Sequence, residues 1–124
     1  MEKAEFYKCE RCGNIVALLV KGGGTLSCCG EPMKLLEAKS SEVGMEKHLP
    51  VIEHKGAELF VKVGSIPHPM VEEHHIVFIA LVSEGHLVIH YLKAGEKPET
   101  SFRNVPHGTI YSYCNVHGLW KAEF

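Results

Sequence analysis

The sequence predicts an all-β protein in which a small metal-stapled domain precedes an antiparallel β-sandwich. From residue 45 onward, short segments rich in β-branched and aromatic residues alternate with turn residues, and no apolar pattern at helical spacing extends over ten residues. Four of the five cysteines lie within the first 29 residues. A domain that short cannot bury enough surface to fold unaided, so a staple is expected there.

Composition divides the chain into three predicted parts. Residues 1–38 contain the clustered cysteines, and an apolar run at 15–20 followed by a glycine turn at 21–24 predicts a strand, a turn and a second strand. Residues 39–44 are polar and are predicted to form a linker. Residues 45–124 form the predicted sandwich domain.

Four strands of the sandwich are predicted from β-rich segments between turns. They are expected at 58–63, 75–82, 87–92 and 109–114. The segment 75–82 is apolar on both parities, which indicates a central strand covered on both faces.

Composition also excludes several classes of partner. The chain has 124 residues, 45% of them hydrophobic and 23% charged, with a formal net charge of −2. A nucleic-acid or anionic membrane partner would require a basic face, so neither is expected. The N-terminus shows no apolar signal region, and the longest apolar runs are too short to span a bilayer, so a soluble cytoplasmic protein is predicted. In that reducing compartment clustered cysteines more often bind metal than form disulfides.

The N-terminal cysteines form the first predicted metal site. Its ligands are Cys9, Cys12, Cys28 and Cys29. A C-x-x-C pair lets two sulfurs converge on one ion at ~2.3 Å. Neighbouring side chains on a regular strand point to opposite faces, so Cys28 and Cys29 require a bent backbone, which Gly30 can supply. Four thiolates suit zinc or iron equally, so a structural zinc knuckle stays open at this point.

A second site is predicted around Cys114 and His117, a C-x-x-H pair that can turn back onto one ion because Gly118 permits a tight turn. Its further ligands are expected among the nine histidines of the chain. His48 precedes a proline and His68 lies between two prolines, which hold the chain extended.

The remaining histidines divide into one adjacent pair and four separate residues. Strand alternation sends the adjacent His74 and His75 to opposite faces, so at most one of them can join the same ion. Surface or hydrogen-bonded core roles are expected for His54, His86, His90 and His107. His86 and His90 share strand parity and are reserve ligands.

Four separated phrases resemble known proteins, and the resemblance covers essentially the whole chain. Cys9-x-x-Cys12 with Cys28-Cys29 resembles the desulforedoxin module. Three phrases resemble the iron centre of the superoxide reductases: Glu46-Lys47-His48-x-Pro50, His68-Pro69-Met70-x-x-x-His74 and Cys114-Asn115-x-His117-Gly118-x-Trp120. Together they form the pattern of the desulfoferrodoxins, the two-iron family.

The resemblance implies a specific set of ligands and a fold. A rubredoxin-like iron would lie on the four N-terminal cysteines. A second iron would have the axial thiolate of Cys114 and four equatorial imidazoles, those of His48, His68, His74 and His117. The sixth position is implied to be open in the ferrous state and occupied by Glu46 in the ferric state. The larger domain is implied to be an immunoglobulin-like sandwich, and the protein a homodimer.

The implied activity is superoxide reduction, in which superoxide, one electron and two protons give hydrogen peroxide. The electron is expected from an external donor, by resemblance a rubredoxin-type protein. A ferrous ion with four neutral imidazoles and one thiolate has a formal charge of about +1 (2 − 1), which together with Lys47 would attract the anion. Glu46 is expected to displace the product and Lys47 to guide the substrate.

Two alternatives stay open at this stage. The second iron could serve electron transfer without substrate chemistry, or the cysteines could form a zinc-ribbon interaction module. The lack of a basic stripe weakens the zinc-ribbon interpretation. Whether the four-cysteine iron relays electrons or only staples the dimer also stays open.

Overall fold

The computed structural model describes residues 3–40 and 45–124, which form two compact units, Lys3–Glu37 and Ala38–Phe124. Residues 1 and 2 of the predicted first domain and residues 41–44 of the predicted linker lie outside the described residues. The predicted domain boundaries stay a prediction. Within the described residues, no helix is both long enough and apolar enough to span a membrane.

The smaller unit consists of short strands around very little apolar core. Its strands are β1 (Glu5–Lys8), β2 (Ile15–Leu18), β3 (Ser27–Cys28), β4 (Glu31–Pro32) and β5 (Lys34–Leu35). β1 lies between β2 and β5, and β3 pairs with β4. Phe6 and Cys9 are the buried hydrophobic side chains among the described residues of this unit. A core of this size explains why the unit requires a staple.

The larger unit contains two antiparallel sheets and one short helix among its described residues. Its elements are α1 (Met45–His48), β6 (Pro50–Lys55), β7 (Glu58–Val63), β8 (Ile76–Ser83), β9 (His86–Tyr91), β10 (Glu99–Arg103), β11 (Thr109–Cys114) and β12 (Gly118–Glu123). One sheet has the order β10-β7-β6 and the other the order β12-β11-β8-β9. Leu59, Val61 and Val63 alternate along β7 and share one buried cluster with Ile79 and Ile110 of the second sheet.

The predicted strands of this unit are present, with β7 and β11 at the predicted bounds and β8 and β9 shifted by one residue. The expectation of β-structure throughout the region from residue 45 is wrong at its start, because Met45–His48 is helical. A single helical turn is too short to produce a helical apolar pattern. Strands β6, β10 and β12 were not predicted, and each lies at the edge of its sheet.

The ends of the strands bring the candidate ligands of the second site to one end of the sandwich. Pro50 at the start of β6 pairs with Val63 at the end of β7, and Ile76 at the start of β8 pairs with Cys114 at the end of β11. The segments joining these ends carry the ligands: His48, His68, His74, Cys114 and His117.

Candidate metal centres

The four cysteines of the smaller unit converge on one point. Their Sγ atoms lie within 4.8 Å of one another, with 3.5 Å between Cys12 and Cys28 and 3.9 Å between Cys28 and Cys29. Sulfurs bound tetrahedrally at ~2.3 Å would be about 3.8 Å apart. The observed spacing therefore fits a single tetrahedrally bound metal ion.

A two-residue turn explains how adjacent cysteines reach the same point. Cys29 and Gly30 connect β3 to β4, and both have left-handed backbone conformations, with φ of 55° and 75°. Positive φ at both central residues is the geometry of the tight hairpin turn that matches the twist of the strands. Cys28 lies on β3 and Cys29 in the turn, so strand alternation no longer separates their sulfurs.

The pKa values of these thiols shift in opposite directions. The backbone N–H of Cys12, 3.5 Å from the Cys9 sulfur, is the main cause that lowers the pKa of Cys9 to about 6. The hydrogen bond with the Cys12 side chain is the main cause that raises the pKa of Cys28 to about 12, and it also raises the pKa of Cys29. The Cys9 thiol therefore ionises well before those of Cys28 and Cys29 unless a cation joins them.

The second centre is a closed square of four imidazole rings. The centroid distances are 4.6 Å for His48–His68, 4.9 Å for His68–His74, 5.0 Å for His74–His117 and 4.9 Å for His48–His117. The centre of a flat square of this size lies about 3.4 Å from each centroid. A metal–nitrogen bond of ~2.1 Å plus the radius of the ring gives about the same distance. The square therefore has the size of a four-imidazole metal site.

Cys114 lies at the apex on the buried side of this square. Its Sγ and the ligand nitrogens of His48, His68 and His74 lie within 4.8 Å of one another, and Sγ is 3.8 Å from Nδ1 of His117. Cys114 is 0% exposed, whereas His117 is exposed. The thiolate is therefore held on the protein side, and the solvent reaches the centre near His117.

His68 and His74 present nitrogen atoms without a hydrogen-bond partner to the centre, within the described part of the chain. Nδ1 of His68 lies 2.7 Å from the carbonyl oxygen of Pro69 and donates to it, which leaves Nε2 without a proton. Nε2 of His68 and Nε2 of His74 are buried and lack a hydrogen-bond partner within the described part of the chain. A buried polar atom without a partner is costly, and a metal ion would satisfy both.

Burial keeps these two imidazoles neutral. It is the largest cause that lowers the pKa of His68 to about 4 and the largest cause that lowers the pKa of His74. The charges of His117 and Lys47 lower the pKa of His74 further. Neutral imidazole is the form that binds metal, and the effect of Lys47 places its ammonium within electrostatic reach of the centre.

His48 is fixed by contacts from the second sheet. The hydroxyl of Ser112, which is 0% exposed, donates to the His48 carbonyl at 2.8 Å. The imidazole of His48 stacks on the indole of Trp120, with 4.7 Å between centroids and 12° between planes. The indole N–H of Trp120 in turn donates to the His117 carbonyl at 3.2 Å. β11 and β12 therefore hold two corners of the square.

Helix α1, which carries Glu46 and Lys47, is held against the loop after β7. The Glu46 carbonyl accepts hydrogen bonds from the Ile66 N–H at 3.0 Å and from the Ser65 hydroxyl at 3.3 Å. Both Glu46 and Lys47 have exposed side chains. Their backbone is anchored while their charged groups remain in solvent beside the centre.

The comparisons with known proteins agree with this arrangement. The family model for desulfoferrodoxin matches residues 40–123, and the model for the desulfoferrodoxin N-terminal domain matches residues 1–36. The chain belongs to the desulfoferrodoxin family.

Three individual proteins illustrate the similarity. A desulfoferrodoxin from Nitratidesulfovibrio vulgaris is 49% identical over 96% of this chain and 95% of its own length. A superoxide reductase from Thermococcus kodakarensis is 37% identical over 68% of this chain and 91% of its own length. The crystal structure of the superoxide reductase from Treponema pallidum superposes with a TM-score of 0.79, at 27% identity, over 98% of both chains.

The other histidines lie outside the square. His75 places Nδ1 3.2 Å from the Val71 carbonyl oxygen, so the adjacent pair does diverge. His54 contacts Asn104 and His107 contacts Glu84. The reserve ligands His86 and His90 lie on β9, where His90 stacks on Phe102 at 4.3 Å. Neither belongs to a metal-binding group found among the described residues.

Asn115 is a supporting residue that ligand spacing alone does not reveal. Its side-chain oxygen accepts the His75 N–H at 2.9 Å, and its side-chain nitrogen donates to the Glu73 carbonyl at 3.1 Å. These two bonds grip the chain on both sides of His74. Its place between Cys114 and His117 was the available signal, since a residue between two ligands contacts the neighbouring ligand loop.

Proposed function

We propose that this protein is a superoxide reductase, which reduces superoxide by one electron and two protons to hydrogen peroxide. The observation that carries the proposal is the square of four imidazoles with the buried thiolate of Cys114 at its apex. The names of the similar proteins from Thermococcus kodakarensis and Treponema pallidum support it.

Two iron ions would be held by the chain, one by Cys9, Cys12, Cys28 and Cys29 and one by the square with Cys114. Zinc has no redox chemistry and takes four ligands in structural sites, whereas the second centre offers five. When bound, ferrous iron supplies the electron and a Lewis-acidic position for the anion.

The residues around the square prepare the site for a small anion. Cys114 is shielded from solvent, so its thiolate stays in place and donates electron density from the protein side. Lys47 is exposed and acts electrostatically on His74, so its ammonium draws superoxide toward the open side. Protons reach this side from solvent, because His117 is exposed.

Glu46 acts after electron transfer in the proposed mechanism. Its backbone is held by Ser65 and Ile66, while its carboxylate is exposed beside Lys47. The described structure does not bring this carboxylate into the group of ligand atoms around Cys114. If iron is held there, Glu46 would supply a carboxylate ligand to its oxidised state and so displace the product.

The electron comes from an external donor of the rubredoxin type. Three apolar side chains in the ligand-bearing loops support docking of a small redox protein there, namely Ile66 at 50%, Val71 at 51% and Val116 at 55% exposure. Such a surface brings the donor close to the square.

The protein acts in the cytoplasm as a homodimer in this proposal. None of the five cysteines forms a disulfide bond, which suits a reducing compartment. Leu19 and Val20 are 79% and 82% exposed, and a second copy would cover such apolar side chains.

The test combines metal analysis with anaerobic pulse radiolysis of the ferrous protein. We expect two irons per chain, one ferric centre formed per superoxide consumed, and hydrogen peroxide as the product. Oxidation by ferricyanide without a reaction with superoxide would instead identify an electron carrier. Zinc at the second centre of an active preparation would overturn the assignment of iron.

A further inference from the structure

Lys39 is anchored beside the second metal centre by its backbone. Its N–H donates to the carbonyl of Leu119 at 2.9 Å, and its carbonyl accepts the N–H of Lys121 at 2.9 Å. The two bonds form a parallel bridge to Trp120 on the edge strand β12. The position of this lysine is therefore set by strand pairing and not by its side chain.

The side chain of Lys39 places its charge against the supports of two ligands. Nζ donates to the carbonyl of His117 at 3.3 Å. It also lies 5.4 Å from the centroid of the Trp120 ring, and that ring stacks on the imidazole of His48. An aromatic face attracts a cation, so this contact favours the ammonium in place.

We propose that Lys39 is an electrostatic positioning residue of the second centre, with an ammonium that raises the positive potential on its His117 side. The proposal rests on the proposed function in naming an anion as substrate. Lys39 would then be a second cation beside the centre in addition to Lys47. Lys39 is positioned by its pairing with β12, whereas Lys47 is positioned by α1.

The physical consequence concerns charge at the centre. A nearby positive charge favours the reduced, less positive state of the iron and so raises its reduction potential. The same charge strengthens binding of any anion at the exposed side. For one cation at a separation on the order of 10 Å near the protein surface, the effect on anion affinity is roughly three- to tenfold.

The test measures the reduction potential of the iron-loaded full-length protein and its affinity for azide, a small anionic probe. Lys39→Met should lower the potential and weaken azide binding by roughly three- to tenfold. Lys39→Arg keeps the positive charge, so its reduction potential and azide affinity should stay close to those of the unaltered protein. Lys39→Gln keeps a hydrogen-bond donor for the His117 carbonyl but has no charge, so it should behave like Lys39→Met. A reduction potential and an azide affinity in Lys39→Gln equal to those of the unaltered protein would overturn the electrostatic role.

Lys55→Met is the matched control. Lys55 also lies over an aromatic ring, 4.6 Å from the centroid of Phe60, but at the far end of β6, about 16 Å along the strand from Pro50. It should leave the potential and the azide affinity unchanged, and equal shifts in both methionine variants would overturn the proposal.

Hydrogen exchange at the Lys121 amide reports whether the backbone bridge survives. If Lys39→Met loses this protection, the pair of Lys39→Arg and Lys39→Gln decides. The reduction potential and the azide affinity are both measured without superoxide. A protein that does not react with superoxide would therefore refute the proposed function and still allow the test of Lys39.

Discussion

Gly64 lies directly against the backbone of Lys47. A Cβ atom on Gly64 would meet the Ile66 carbonyl oxygen first, and it would be 2.8 Å from the Lys47 carbonyl oxygen and 2.9 Å from the Glu46 carbonyl oxygen. The glycine has φ of +86°, and its own N–H donates to the carbonyl of Leu49 at 2.9 Å. The absence of a side chain at this position therefore lets α1 approach the loop that leads to His68.

Gly64→Ala should displace α1 and with it both charged side chains beside the centre. The clash and the left-handed backbone together should cost about 1–3 kcal/mol of stability. The rate of reaction with superoxide should fall, which stopped-flow or pulse radiolysis would measure. Gly56→Ala is the control, because Gly56 also has positive φ but a Cβ atom there would meet no other atom within 4 Å. Equal loss of rate in both variants would show that backbone strain, not the contact with α1, is responsible.

Lys47→Ala should slow the second-order reaction with superoxide by about tenfold at low salt, since electrostatic steering contributes roughly 10- to 1000-fold and the charge of the centre remains. The difference from the unaltered protein should shrink as salt rises. Lys47→Arg keeps the charge and should reduce this rate only slightly. Pulse radiolysis over a salt series measures this, and an unchanged rate at low salt would remove Lys47 from the mechanism.

His74→Ala should lose iron from the second centre, whereas His75→Ala should keep it. Nε2 of His74 is buried in the square, but Nδ1 of His75 contacts the backbone of Val71. The loss of affinity in His74→Ala should exceed the roughly 10- to 100-fold that partners of ligands contribute. Iron content after dialysis against a chelator distinguishes the two, and the reverse order would contradict the assignment.

Cys114→Ser should abolish the thiolate-to-iron charge-transfer absorption of the ferric protein. Activity should fall by more than about 100-fold, because the replaced group is a ligand and not a partner of one. Visible absorption before and after oxidation provides the measurement. Persistence of the band would show that another group supplies the thiolate.

The metal-free protein should lose stability as the pH falls from about 6.5 toward 4. Burial lowers the pKa of His68 to about 4, whereas the unfolded chain has the ordinary value near 6.5. Between these values the unfolded state binds a proton that the folded state does not, so acid favours unfolding. The loss should be about 1–2 kcal/mol by pH 5. Urea unfolding at pH 7 and pH 5 would measure it, and His68→Gln should flatten the dependence.

The sequence predicts the central strands better than the edges of the sheets. Every side chain of β11 is buried, and four of its six residues are apolar or aromatic, whereas β6 ends in the exposed residues Glu53, His54 and Lys55. An edge strand such as β10 (Glu99–Arg103) pairs on one side only and tolerates polar residues. Hydrophobic periodicity therefore reveals β7, β8 and β11, together with the edge strand β9, and does not reveal the edge strands β6, β10 and β12.

The sequence pattern predicts some ligands of the second centre, and the family resemblance predicts most of them. Alternation separated His74 from His75, although β8 begins only at Ile76, so neither histidine lies within a regular strand. The residues that hold the ligands in place cannot be predicted from local pattern. Ser112 is 64 positions from His48 in the sequence, and Lys39 is 78 positions from His117. Contacts of this range depend on the packed fold and leave no local signal in the sequence.

The two centres differ in how much of the chain must exist before each can capture its ion. The four cysteines span residues 9–29, so the ligand set of the first site is complete when less than a third of the chain has been synthesised. The second set closes only with His117, after β11 has paired with the distant β8. Because closing long loops is entropically costly, loading of iron should begin at the N-terminal cysteines and end at the histidine square.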